Sequence, residues 1–388
     1  MHHHDIIQAL FRSRNRLPVI TFRCEHTGAV MARSSQPMVG LTQKSCTFDE
    51  LLLDLYRTKG VPASSLSPDE NEACKLYILD ARGLLAATAN MAMGKGTEKE
   101  TNYENTELLF LNIDNIHVMR ASLQAMAEAL LPGGYMECGT YISKVDEAGW
   151  LQHSRCILAA SVSGAEKLFL EGASVLSHCS DGWDRTAQVC SIIQVLLDPY
   201  FRTLRGLAVL VEKEWCAFGH KFQDRCGHGV DCTYLPDERS PVFLQFLDVL
   251  FQVMNQFSHA FEYNEALLVF LADHVNSCLF GNFLGNSMRE RMEVLNVKET
   301  TRSIWGYVLS TERVSIFLNE RYSPVEQPLW PSTSPKRMQV WSRFFNRWDA
   351  AMHPHVERDG GFEEPTGDGK ASCKSVVNKH EWIDDWGG

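Results

Sequence analysis

Within ASVLSHCSDGWDRTAQVC, residues 173–190, a thiol at Cys179 is followed six positions later by a guanidinium at Arg185. A short apolar run, a polar turn through Gly182 and an apolar-periodic stretch from about Thr186 read as strand, loop and helix. Amides of a tight loop at a helix N-terminus converge on one point, where unpaired donors and the helix dipole favour an anion. The same field favours thiolate over thiol, so Cys179 is expected to have a depressed pKa and to be a nucleophile near neutral pH. Arg185 offers a planar fork matched to two phosphate oxygens, and its hold strengthens as charge builds on them during transfer. The Thr186 hydroxyl is placed to donate to the sulfur. Departure of an alcohol needs a proton, for which Asp184 is favoured over Asp181. Burial would keep part of Asp184 protonated and a neighbouring Arg would ionise it, so the two effects oppose each other.

With twelve cysteines in the chain, a Cys and an Arg at this spacing are weak evidence by themselves. The competing reading is a buried structural thiol at a strand end, an ordinary turn at Gly182 and a helix-start salt bridge at Arg185. By spacing alone, Lys221 and Arg225 line a solvated helix face. Asn115 ahead of a helical run is by default an N-cap residue, and Asn90 carries no pattern of its own. Cys226, His228 and Cys232 lack the second ligand pair of a structural zinc site, so no metal and no other cofactor is expected. Trp341, Phe344, Phe345 and Trp348 recur at helical spacing and read as core.

Such a loop must be held by a framework. Residues 48–56, FDELLLDLY, follow Thr47, and Thr47 with Glu50 has capping-box spacing, which predicts a helix. Residues 60–70 are rich in Gly, Pro and Ser and read as a loop feeding a strand at Leu76–Leu79. A second strand is expected at Leu108–Ile113 and an amphipathic helix at His117–Leu131, and after Phe243 long helical patterns run through Phe283. Strands separated by helices predict an α/β fold with a central mixed sheet flanked by helices.

At 45% apolar and 22% charged over 388 residues, the composition is that of a globular protein. The net charge of −11 argues against broad attraction to nucleic acid or an anionic membrane, so any phosphate binding must be local. Unpaired cysteine spacing and an N-terminus without a signal-peptide pattern predict reduced thiols in the cytosol. The most apolar stretch, Val242 to Phe257, is interrupted by Gln245, Asp248, Gln252 and Asn255, so no transmembrane helix is expected. His2, His3 and His4 read as a tag remnant or a genuine start and are left out of metal reasoning. Residues 356–388 read as a polar flexible tail.

The string HCSDGWDRT, His178 to Thr186, resembles the signature loop of the myotubularin phosphatases and is far more specific than the bare Cys and Arg spacing. Similarity continues through FRSRNRLPV (11–19), RSSQPMVG (33–40), NIHVMR (115–120), VEKEW (211–215), GHKFQDRCGH (219–228) and SPVFLQFLD (240–248). The resemblance implies one domain over residues 5–355 with the fold of cysteine-dependent tyrosine phosphatases. It implies metal-free removal of the D3 phosphate of phosphatidylinositol 3-phosphate and phosphatidylinositol 3,5-bisphosphate through a cysteinyl-phosphate. The D3 pocket would be Ser180, Asp181, Gly182, Trp183, Asp184 and Arg185, with Cys179 attacking phosphorus and Asp184 as the acid. Lys221 and Arg225 would face the D5 phosphate, and Asn90 and Asn115 would reach the lipid-linked side. Many members have Arg where Lys221 stands, so a bidentate fork becomes a point charge and preference for the bisphosphate is in question.

Members that lack the loop Cys and Arg are inactive; both are present here, so activity is expected. Myotubularins usually carry a PH-GRAM domain ahead of the phosphatase region, and this chain starts almost at that region. A fragment, or recruitment by a targeting partner or through homo- or hetero-oligomerisation, is therefore expected, with weak membrane binding by this chain alone. The resemblance places the protein in the cytoplasm, peripheral and transient on endosomal membranes, with a phosphoinositide as substrate. Two alternatives remain open. One is a protein tyrosine phosphatase, which wants an aromatic slot rather than Lys221 and Arg225. The other is a non-catalytic scaffold pairing with an active phosphatase through its C-terminal helices.

Overall fold

The computed structural model describes residues 11–130, 138–229 and 236–347. Five strands, β1 Val19–Arg23, β2 Val30–Ser35, β3 Leu76–Asp80, β4 Thr106–Phe110 and β5 Ser174–Cys179, form one sheet in the order β1-β2-β5-β3-β4. β1 runs antiparallel to β2 and all other neighbours are parallel, so the sheet is mixed, as expected. β2, β3 and β5 are buried along their whole length, the state of central strands covered by helices on both faces.

The helices that bear on the site are α1 Thr47–Arg57, α2 Leu84–Met91, α3 Ile116–Leu130, α4 Trp150–Phe169, α5 Arg185–Leu197, α6 Phe222–Cys226, α7 Val242–Gln256 and α8 Glu265–Ser277. Every residue of α5 after Arg185 is buried, which suits a helix apolar on most sides. It lies between α4 and α7. Gly164 of α4 allows the approach, because a Cβ there would stand 2.5 Å from Ile193 Cδ1. Trp215, Phe222, Phe243, Phe246 and Phe283 form an aromatic cluster with ring centroids 4.9 to 6.5 Å apart. Trp341 is fully buried and stacks on Phe251 at 5.4 Å, whereas Trp348 lies outside the described residues. No helix among the described residues is long and apolar enough to cross a membrane.

Three local expectations need correction. α1 begins at Thr47 itself, Cys46 takes the extended N-cap conformation, and no side chain caps that end. The capping box is at Ser67 and Glu70, inside the stretch read as loop, where Ser67 Oγ accepts from Glu70 N at 3.3 Å and Glu70 Oε2 accepts from Ser67 N at 2.9 Å. The fourth strand ends at Phe110, before Ile113, because Asn112 turns the chain with a φ of 53°. The ends of the expected domain at 5 and 355, His2 to His4, Leu131 and the tail fall outside the described residues.

Candidate active site

β5 delivers Cys179 to the carboxyl end of the sheet, in register with Ser35 of β2, while His178 pairs with Asp80 of β3. Ligands of parallel sheets bind at that end. The chain then crosses Ser180 to Asp184 and enters α5 at Arg185, one residue before the sequence-based start. Gly182 makes the turn with a φ of +77°, and a Cβ on it would lie 2.2 Å from Ser34 O. Only glycine fits so strained and close a position. Its N–H donates to Cys179 Sγ at 3.2 Å, and its carbonyl accepts from Arg33 Nη2 at 2.6 Å. Arg33 in turn donates through Nη1 to the Glu214 carboxylate at 2.6 Å and to its carbonyl at 2.8 Å. The loop is therefore braced from beneath by a buried ion pair.

Burial opposes ionisation of Cys179, yet the Arg185 charge together with the hydroxyl and amide of Thr186 outweighs it, against some opposition from Asp184. The thiol sits below its ordinary range, as a nucleophile requires. Arg185 is oriented by donation to Ile113 O at 3.1 Å and to Ser180 Oγ at 3.3 Å.

Asp184 is not the partly protonated acid that burial alone would make. Burial pushes its pKa up, but Arg225 and His220 overcome this and hold the carboxyl well below the usual carboxylate range. Arg225 grips both oxygens, Nε to Oδ1 at 3.1 Å and Nη2 to Oδ2 at 2.9 Å, a bidentate pairing. His220 Nδ1 lies 3.2 Å from Asp184 Oδ1 and 2.9 Å from Trp183 O. Arg225 is likewise no residue of a solvated face: it is buried, and its third contact is Glu238 Oε2 at 2.8 Å. Lys221 is more open; its ammonium sits 3.1 Å from Asp224 Oδ2 and 5.1 Å from the Trp183 ring centroid.

The loop has a second buried support. His178 Nε2 lies 3.0 Å from Glu98 Oε2, Glu98 pairs with Arg12, and Arg12 also holds Asp49 at 2.7 Å. Burial opposes both charges, but Glu98 and Asp80 raise the His178 pKa, and His178 with Arg12 depresses that of Glu98. The imidazole beside the nucleophile is thus paired with a carboxylate from the segment after α2. Arg33, Glu98 and His220 escaped sequence reasoning as supports of the site, although Arg33 and His220 stand inside the quoted strings.

Cys179, Ser180, Asp181, Trp183, Asp184, Arg185, Lys221, Arg225, Asn90 and Asn115 all line one cleft of about 690 Å³. Gly182 supports it from behind. Asn115 is the N-cap of α3, its Oδ1 accepting from His117 N at 2.9 Å and Val118 N at 3.2 Å. Asn90 donates to Ala86 O within α2 and still faces the cleft. Asp181 is held by Ser13 Oγ at 3.3 Å and Arg14 Nε at 3.4 Å. His228 Nε2 bonds Val275 O at 2.7 Å, and Cys232 is outside the described residues. Such a cleft can hold a tetrahedral oxyanion over a thiolate.

A family model described as a myotubularin-like phosphatase domain matches residues 4–292. The chain is 43% identical over 347 residues to a Mus musculus protein named phosphatidylinositol-3,5-bisphosphate 3-phosphatase MTMR6, covering 89% of this chain and 53% of that protein. It is 44% identical over 347 residues to Homo sapiens phosphatidylinositol-3,5-bisphosphate 3-phosphatase MTMR8, covering 89% and 47%. It is 42% identical over 357 residues to Mus musculus phosphatidylinositol-3,5-bisphosphate 3-phosphatase MTMR2, covering 92% and 53%. The chain spans about half the length of these relatives.

Proposed function

The chain belongs to the family of myotubularin-like phosphatase domains, and from that membership we propose that it removes the D3 phosphate of phosphatidylinositol 3-phosphate and 3,5-bisphosphate. The observation that carries the reading is a depressed thiol at Cys179, receiving the Gly182 N–H, in the same cleft as the oriented guanidinium of Arg185. Three relatives named as 3-phosphatases of the bisphosphate support the substrate class.

In the first step the Cys179 thiolate bonds to phosphorus while the bond from phosphorus to the inositol oxygen breaks, and Arg185 gathers the charge spreading over the equatorial oxygens. The leaving oxygen takes a proton from Asp184. A bound phosphate dianion raises the pKa of a neighbouring carboxyl by like-charge repulsion, and a D5 phosphate competes for Arg225, the group that holds Asp184 ionised. Lys221 supplies a point charge to that same phosphate. In the second step water bonds to phosphorus, the sulfur leaves as thiolate, and the ionised Asp184 accepts the proton. The net reaction is phosphomonoester plus water to alcohol plus inorganic phosphate, and it calls on no metal.

The test is phosphate release from soluble short-chain phosphoinositides and a phosphotyrosine peptide, with Cys179→Ser as control. Release confined to the two D3 phosphates and abolished in the variant is expected. Retained turnover by Cys179→Ser removes that sulfur from its role, and preference for the peptide makes the protein a tyrosine phosphatase.

A further inference from the structure

The cations of the catalytic cleft bring their own carboxylates. Arg14 Nε lies 3.4 Å from Asp181 Oδ1, Lys221 Nζ lies 3.1 Å from Asp224 Oδ2, and Arg225 holds both Asp184 and Glu238. Every one of these side chains lines the cleft. Arg185 differs: its donors meet the neutral oxygens of Ile113 and Ser180, and among the described residues no carboxylate stands within ion-pair distance of it. One guanidinium is thus open to a phosphate dianion. A second phosphate on the same ring must compete with carboxylates already in place.

Those carboxylates differ in how firmly they are held. The Glu238 side chain is 41% exposed, and its own backbone carbonyl accepts from Arg225 Nη1 at 2.9 Å. Its carboxylate can turn into water while the carbonyl keeps Arg225. Asp224, in the first turn of α6, has no such freedom. Its side chain is 15% exposed, and Asn286, 62 residues further on, clamps it twice: Asn286 Nδ2 donates to Asp224 Oδ1 at 2.9 Å, and Asn286 Oδ1 accepts from Asp224 N at 3.0 Å. Asn286 is anchored in turn, its N–H donating to Glu290 Oε2 at 2.6 Å. The second oxygen of Asp224 is therefore held against the Lys221 ammonium.

We infer that Asp224 is a specificity-determining residue: its clamped carboxylate takes the place of a D5 phosphate on Lys221 and so discriminates against the 3,5-bisphosphate in favour of the 3-monophosphate. The inference rests on the proposed reaction for the identity of the two ligands. A site rejects a competitor by setting like charge against it. Two anions that share one ammonium, one at 3.1 Å and the other at an ordinary charged hydrogen-bond distance, stand about 6 Å apart at most. Repulsion between unit charges at that separation corresponds to about 100-fold in affinity at the dielectric of a protein surface. Water around Lys221, which is 31% exposed, lowers this to about tenfold. Asn286 acts as a positioning residue, because it keeps Asp224 from rotating away when the second phosphate arrives.

The test compares kcat/KM of the full chain on soluble short-chain phosphatidylinositol 3-phosphate and 3,5-bisphosphate. Asp224→Asn removes the charge and keeps an oxygen for Asn286, so the ratio of bisphosphate to monophosphate should rise about tenfold, through a lower KM for the bisphosphate. Asn286→Ala should move the ratio the same way by less, a split that loss of packing alone would not produce. Glu238→Gln should move it less than Asp224→Asn. Glu171→Gln removes a carboxylate paired with Lys167 just before β5, at the opposite end of that strand from Cys179, and should leave the ratio unchanged. A ratio that stays or falls in Asp224→Asn overturns the inference, as does an equal rise in Glu171→Gln, which would make the effect one of net charge, or a larger rise in Glu238→Gln. If the wild type turns over neither lipid, the proposed reaction is refuted and the inference is judged by calorimetry in the Cys179→Ser background. There Asp224→Asn should tighten the bisphosphate about tenfold relative to the monophosphate, and an unchanged preference, or no binding of either lipid, overturns it.

Discussion

Replacing Arg225 by methionine removes the fork that holds Asp184 and keeps an apolar stem of similar reach. The pair is deeply set, with side-chain exposures of 4% and 11%, and breaking a buried ion pair costs about 3 to 5 kcal/mol because one charge stays behind unpaired. Two features place this case at the low end. His220 Nδ1 remains 3.2 Å from Asp184 Oδ1, and Glu238, which also loses a partner, is exposed enough to be hydrated. A loss of about 3 kcal/mol, with a urea slope of about 3 kcal/mol per molar for a chain of this size, lowers the unfolding midpoint by about 1 M. The pH dependence has a definite sign. Asp184 is depressed in the folded state, so its contribution is complete above the unfolded aspartate value of about 3.9 and is lost as the pH falls toward the folded one. The gap between wild type and Arg225→Met should stay constant from about pH 7 to 5 and narrow below about pH 4. The same variant should lose more activity on the 3,5-bisphosphate than on the monophosphate. Stability within about 0.5 kcal/mol of wild type at neutral pH, or a gap that widens on acidification, refutes the ion-pair account of Asp184.

Two further substitutions separate the roles inside the loop. Asp184→Asn should slow hydrolysis of the lipid substrate by about 100-fold or more and that of an aryl phosphate far less, since a phenolate leaves without a proton; equal slowing in steady-state assays of both would assign the acid elsewhere. Gly182→Ala should abolish turnover and cost about 2 kcal/mol or more in denaturant titration, since it adds a left-handed backbone penalty to a 2.2 Å approach to Ser34 O, and an active, stable variant would show that the loop does not need this turn.

What could be read beforehand was local. The strand, turn and helix around Cys179 follow from apolar run, glycine and periodicity within a few residues, and the Asn115 cap follows from its place before α3. Capping boxes show the limit of that reasoning. Thr47 with Glu50 and Ser67 with Glu70 have the same spacing, and only the path of the backbone decides which is closed. The state of Asp184 lay further out of reach, because the charge that ionises it comes from Arg225, 41 residues away, rather than from adjacent Arg185. Glu98 stands 80 residues before His178. Its pairing depends on sheet order, which no single stretch of sequence encodes.

The imidazole of His220 packs edge-on against Trp215 at 4.9 Å and Phe222 at 4.8 Å, within the aromatic cluster that Phe243 and Phe283 complete. Its ring nitrogen reaches Asp184 while the ring packs among aromatic side chains. A lesion at Phe243 or Phe283 would therefore tilt a neighbour that positions Asp184, without touching any guest molecule. Inactivating variants from the carboxyl-terminal half of the chain would then resemble chemical defects in a rate assay, and only a melt would reveal them as faults of packing.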